Sequence, residues 1–229
     1  MYNATHMSLI ELLFSNPLLF FITLGVIVLS LSIHEFAHAW AADKLGDPTP
    51  RYQGRLTINP LAHLDPLGTA LLILVGFGWG KPVQVDSYNL KDPIRDTALI
   101  AAAGPLSNIL LALLFAVCFP VLYTIFGTHE LLLQLQGFLI FYNVMLAVFN
   151  LVPVYPLDGS KILLALLPKH TALEYDALMS RFGLYILIAL LWRWGGTSPI
   201  SALITPAIQS VTYFLILISA SVLQLLAHV

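Results

Sequence analysis

His34, Glu35 and His38 form an H-E-x-x-H pattern inside "LSIHEFAHAW", residues 31–40. On a helix, positions four apart differ by about 40° in azimuth and about 6 Å in rise. Both imidazoles therefore face one way and can hold one zinc ion, with Glu35 beside them as a general base. The chemistry this suits is metal-assisted hydrolysis. So short a pattern also arises by chance, the histidines then being hydrogen-bonded residues at a helix end. Its setting argues against that: no charged side chain lies between Leu12 and Ile33. Ionisable groups at the end of an apolar run long enough to cross a bilayer are costly unless partnered, and a bound cation is such a partner.

A catalytic zinc site takes three protein ligands and keeps one position open, so a third donor must come from elsewhere. Asp158 in "NLVPVYPLDGSKIL" is the best candidate, the first acidic residue after the uncharged run Leu131–Leu157. Pro153 and Pro156 break a helix there, and Gly159 permits a tight turn that could aim the carboxylate back among the helices. The competing reading makes Asp158 a cap for the helix that follows.

The elements that must position these groups are membrane spans. The 229 residues are 59% hydrophobic and 10% charged, with a mean hydropathy of +0.87, where soluble domains carry about a quarter charged residues. A spanning helix needs about 20 mostly apolar residues. Uncharged runs cover Leu12–Ile33, Thr97–Thr128, Leu131–Leu157 and Trp194–Val229, and a shorter one covers Phe182–Trp192. The expectation is an all-α polytopic membrane protein of about five transmembrane helices, read as one membrane-embedded domain over residues 1–229. Residues 46–90 differ in kind. Turn formers in "GDPTP" and "INPLAHLDPLG" precede the stretch "PLGTALLILVGFGWG", too short and Gly-rich to span. "KPVQVD" then alternates as a strand does, with "RYQGRLTI" as its companion. A small re-entrant β-containing element between the first two spans is expected.

Lys and Arg placement orients the chain. None precedes Lys44; Lys44, Arg51, Arg55, Lys81, Lys91 and Arg95 lie between the first two spans; Lys161, Lys169 and Arg181 follow the third. The N-terminus is expected outside and the Lys44–Arg95 connection on the cytoplasmic side. His34, about 26 Å along a helix from Pro17, falls toward that side, as does Asp158. The net charge of −2 carries no sign of nucleic acid, and none is expected as a partner. The single cysteine, Cys118, excludes an intrachain disulfide framework and reads as a packed apolar residue in the second span.

These residues together resemble the site-2 protease family of intramembrane zinc metalloproteases. H-E-x-x-H is followed by "GPLSN", Gly104–Asn108, and then by Asn150, Pro153, Leu157, Asp158 and Gly159 in the family's N-x-x-P-x-x-x-L-D-G arrangement. The three motifs stand in the family's order over residues 20–165. The resemblance implies one zinc per chain held by His34, His38 and Asp158, with Glu35 as base. It implies Asn150 as a substrate or oxyanion contact, and Asn108 as a weaker candidate near the site. It implies hydrolysis of peptide bonds in or near transmembrane segments of membrane-protein substrates, in a bacterial cytoplasmic membrane. It also implies a compact form without PDZ or CBS domains. His63 reads as a structural turn residue in preference to a metal contact; His6, His129, His170 and His228 read as surface or interfacial. The alternative is a membrane zinc transporter or zinc-binding protein, in which the same side chains are transit ligands and Glu35 has no work as a base.

Overall fold

The structure is a computed structural model that describes residues 9–193 and 196–227. His6, His228 and Trp194 lie outside the described residues. Helix α1 (Leu9–Ser15) is cut from α2 (Pro17–Leu45) at Asn16. The Asn16 side chain accepts the Leu19 N–H at 3.0 Å, and Pro17 occupies the first helical position, where a missing N–H costs nothing. α2 has 29 residues and closes on Gly46 in the left-handed region, φ 112°, as helix ends often do. A short α3 (Thr49–Tyr52), a 3₁₀ turn at Pro60–Ala62, α4 (Pro66–Val75) and a second turn at Ser87–Asn89 lead to α5 (Pro93–Phe126). Asp92 caps α5 by accepting from Arg95 N. The chain continues through α6 (Glu130–Asn150), α7 (Asp158–Leu166), α8 (Lys169–Leu191) and α9 (Pro199–Ala227).

Among the described residues four helices are long and apolar enough to cross a membrane: α2, α5, α6 and α9. Their outward faces expose Phe21, Leu106, Leu110, Val121 and Phe214, side chains that suit lipid and not water. This is a multi-pass membrane protein. α5 lies at the centre of the bundle, against α2, α6, α7 and α9. Ala112, Ala116, Ile140, Val144, Ile208 and Leu215 form the core shared by α5, α6 and α9. A polar tie crosses the same three helices: Tyr123 Oη donates to Gln136 Oε1 at 2.6 Å, and Gln136 Nε2 donates to Ser219 Oγ at 2.7 Å. Such bonds hold spans together where lipid supplies no hydrophobic drive between them.

Three expectations are corrected. The fifth span is not among the helices both long and apolar enough to cross, because the first thirteen residues of α8 carry Lys169, Glu174, Asp176 and Arg181 and leave only its last ten apolar. The β-containing element is not a sheet: among the described residues there is no strand, and one isolated antiparallel bridge joins Leu64 to Gly80. Most of "RYQGRLTI" forms turns after α3, and α4, about 15 Å long, is the helical part of this connection. Cys118 is exposed on the outer face of α5 and not packed.

Candidate metal centre

The pattern on α2 acts through one stripe: Ser30, His34 and His38, each four residues apart, face α5. The facing stripe of α5 is Ile100, Gly104 and Asn108, also four apart. Gly104 lets the two helices meet, since a Cβ there would overlap the His38 ring and the edge of His34. Gly104→Ala is therefore expected to destabilise the protein by about 1–3 kcal/mol and to weaken metal binding, read by thermal unfolding in detergent and by metal content. An unchanged melting temperature with undiminished metal would refute the close approach.

Both histidines are oriented from behind. His38 Nδ1 lies 2.7 Å from the Ile100 carbonyl oxygen, which only accepts, so Nδ1 carries the proton. His34 Nδ1 lies 2.6 Å from Asn108 Oδ1. That assignment of the amide follows from its other bonds, because Asn108 Nδ2 donates to Ser30 O and to Asn143 Oδ1. Asn143 Nδ2 in turn donates to Leu139 O at 2.7 Å. The chain of donors runs one way, from His34 through two buried asparagines to a backbone carbonyl. It fixes the tautomer with Nε2 bare on each ring, the form in which histidine binds a metal.

The third group comes from the break between α6 and α7. α6 ends at Asn150 and α7 starts at Asp158, with Pro153 and Pro156 between them. Gly159 sits against the backbone of Leu151 and Val152 where no Cβ would fit, so the start of α7 folds onto the end of α6. The N-cap position of α7 is Leu157, which makes no capping bond. Asp158 does not serve as the cap; its Oδ2 points across to α2, 3.2 Å from His34 Nε2 and 3.3 Å from His38 Nε2.

His34, His38 and Asp158 are each at most 9% exposed, and their donor atoms lie within 4.8 Å of one another. The two Nε2 atoms are 3.0 Å apart, and Asp158 Oδ2 has no hydrogen-bond donor. Three lone-pair donors converging in a buried site, with both imidazole protons directed elsewhere, fit a cation. Two nitrogens and one oxygen suit zinc.

Glu35 borders the same cavity of about 130 Å³, as do Val83, Val85, Asn150 and Lys161. That space has room for a few waters, and Pro82 lines it together with Val83 and Val85. Glu35 Oε2 accepts the Val83 N–H at 3.2 Å. Asn150 reaches the cavity but donates its Nδ2 to Leu146 O at 2.9 Å. Asn108 touches His34 and lies outside the cavity lining. His63 is fully buried away from the cluster, its Nε2 against Thr57 O at 2.7 Å. His129 stands exposed at the start of α6, and His170 faces Glu174 on the surface.

Outside the spans, Asp47 ties the cover of the site to the end of α2. It accepts from Thr49 Oγ1 and N, Asn89 Nδ2 and Asp86 N. Burial opposes its charge, and these hydrogen bonds outweigh burial and hold the carboxyl below its ordinary range.

The profile of peptidase family M50 matches residues 123–191. The "Putative zinc metalloprotease YwhC" of Bacillus subtilis is 40% identical over 148 residues, covering 62% of this chain and 67% of the relative. MJ0611 of Methanocaldococcus jannaschii, named in the same terms, is 31% identical over 161 residues, covering 67% of this chain and 77% of the relative. The chain belongs to peptidase family M50. It is a zinc metalloprotease of the site-2 type. Rip2 of Mycobacterium tuberculosis, also so named, is 33% identical over 138 residues, and the alignment spans 58% of this chain and 52% of that relative. No solved structure matches the chain at a significant level.

The residues that sequence reasoning missed are Ile100, through its carbonyl, and Asn143. Asn143 had a signal: it lies seven residues before Asn150, on the same face of α6, as an amide in the middle of an apolar run. Polar groups at that depth are rarely idle. The Ile100 carbonyl has none, because any backbone offers one.

Proposed function

We propose that this M50 chain is a single membrane-embedded domain that hydrolyses peptide bonds in or near transmembrane segments of membrane-protein substrates, with His34, His38 and Asp158 as its zinc ligands and Glu35 as its base. The observation that carries the reading is the joining of H-E-x-x-H on α2 to Asp158 on α7, more than a hundred residues apart in the chain, beside a carboxylate that faces the same cavity. Its N-terminus lies outside, and the site opens toward the cytoplasmic side of a bacterial membrane, as the Lys and Arg placement argues.

Zinc bound there supplies a Lewis acid for the scissile carbonyl and lowers the pKa of attacking water. Glu35 accepts the proton of that water and passes it to the leaving amine. The hydrogen bond from Val83 N fixes the Glu35 carboxylate while the cavity is covered. Asp47 and Arg55 anchor the covering residues at either end. Asn150, at the rim, takes a substrate backbone group with the part of its amide that Leu146 O leaves over. Residues 81–86 form no ladder of their own, so their backbone can pair with an unwound stretch of substrate and replace its helical hydrogen bonds.

Unwinding is the step the membrane adds. A substrate span with glycine near the cut opens more readily than one with alanine, by about 1 kcal/mol per glycine. Each Gly→Ala replacement in a reconstituted single-span substrate is expected to slow cleavage about fivefold. The assay is hydrolysis in proteoliposomes, with loss of cleavage on chelation and recovery on added zinc. Cleavage that survives chelation would defeat the metalloprotease mechanism, and equal rates across the substrate series would defeat the unwinding requirement.

A further inference from the structure

A second cavity is larger than the candidate catalytic one. It holds about 350 Å³ and is lined by Gln53, Arg55, Lys81, Pro82 and Gln84. Two of these five residues are cations and two are amides; none is acidic. Arg55 is only 4% exposed. Its guanidinium donates to the carbonyl oxygens of Ala62, Lys81 (3.2 Å) and Pro82 (3.3 Å), and of its five N–H donors two remain unspent. The ion pairs of the described residues join His34 and His38 to Asp158, Arg51 to Asp43 and His170 to Glu174. Neither Arg55 nor Lys81 takes part in any of them. Buried charges are paired in native proteins because an unpaired one is expensive, so Arg55 lacks its counter-ion.

We infer that this pocket is a binding site for a phosphate group, and that its occupant is the headgroup of an anionic phospholipid. The planar guanidinium, held in place by three carbonyls, suits a phosphate's geometry. Lys81 adds a point charge from the exposed side, and the Gln53 amide, bonded to Gln84 Oε1 at 2.8 Å, closes the rim. Depth favours a lipid. Counted from Pro17, α2 is about 42 Å long against a hydrocarbon core of about 30 Å, which brings Gln53 and Arg55 to the headgroup layer. Tyr52, Ile58 and Leu61 on the same connection are exposed, as side chains are that dip into the interface. Pro82 lines both cavities, so a lipid held here braces the residues that cover Glu35. The site does not depend on the assignment of the zinc ligands, and its test reads binding and not hydrolysis.

The test uses the full chain in nanodiscs of phosphatidylcholine with a minority of phosphatidylglycerol, counting co-isolated lipid by native mass spectrometry. In a parallel arm, inorganic phosphate is titrated into the protein in uncharged detergent. Wild type is expected to retain phosphatidylglycerol selectively, and Lys81→Gln to weaken that retention about fivefold, the value of one basic charge near the surface. Lys81→Arg should restore it. Lys81 is exposed and holds no side-chain bond, so its replacement spares the fold; Arg55→Gln, which removes three staples, is read only if the protein stays monodisperse. Phosphate binding that falls in Lys81→Gln while lipid retention does not would keep the anion site and make free phosphate its ligand. If neither falls, the inference is overturned, and the pocket belongs to an acidic peptide or to no ligand.

Discussion

Asp158→Ala is expected to strip zinc from the protein while leaving its spans in place. The wild type should carry about one zinc per chain by elemental analysis in detergent. Loss of an outer partner of a ligand typically costs 10–100-fold in metal affinity, so loss of a ligand itself should cost about 100-fold or more. The fold should survive because Asp158 is not the cap of α7 and its Oδ2 satisfies no donor of the protein. Helical content and elution volume check that point. Asp158→Asn, which keeps the volume and removes the charge, should lose most of the metal as well. A folded Asp158→Ala protein that keeps zinc at undiminished affinity would place the third ligand elsewhere. A wild type without zinc after metal-replete purification would count against the whole cluster.

Much of this centre was legible because its parts are local. H-E-x-x-H needs one helix and no partner, and Asn16–Pro17 marks where that helix starts. Asp158 was legible for a different reason: two prolines and a glycine around an acidic residue, at the end of an uncharged run, signal a forced turn carrying a group the membrane would otherwise exclude. What stayed hidden depends on neighbours. His38 is oriented by the Ile100 carbonyl, and no residue type announces a carbonyl. The closeness of α2 and α5 rests on Gly104, which reads in the sequence as one small residue among the alanines of "AAAGP".

Two of the three corrected expectations have related causes. Val83 and Val85 alternate as strand residues do, but alternation describes one segment, and a strand needs a second to pair with. "RYQGRLTI" instead bends through the turn at Gly54, and the buried Arg55 fastens it to residues 81–82 by side-chain bonds. α8 is long enough to span, yet its charges fall within its first thirteen residues, so its apolar tail ends about 15 Å on. Its Tyr175 Oη donates to Pro153 O, and Gly183 packs on Tyr155. Much of its service to the fold is thus to brace the loop that carries Asp158, a role that hydropathy does not record.

Glu35→Gln separates an enzyme from a zinc carrier that uses the same ligands. Glutamine keeps the size of the side chain and can still accept the Val83 N–H, so the residues over the cavity and the proposed zinc ligands are expected to stay undisturbed. It cannot take a proton from water. A positioned acid–base group contributes typically 10²–10⁴-fold, and hydrolysis of a reconstituted substrate span should fall by about that factor with zinc content unchanged. A transporter has no use for a base beside the metal, so zinc flux into proteoliposomes would be spared by the same substitution. Retained cleavage at full zinc occupancy would remove Glu35 from the chemistry and leave Lys161 and Asn150, the other polar residues lining the cavity besides the proposed zinc ligands, to be tried in its place. Loss of zinc together with cleavage would instead show that Glu35 supports the metal site, and the base would have to be sought elsewhere.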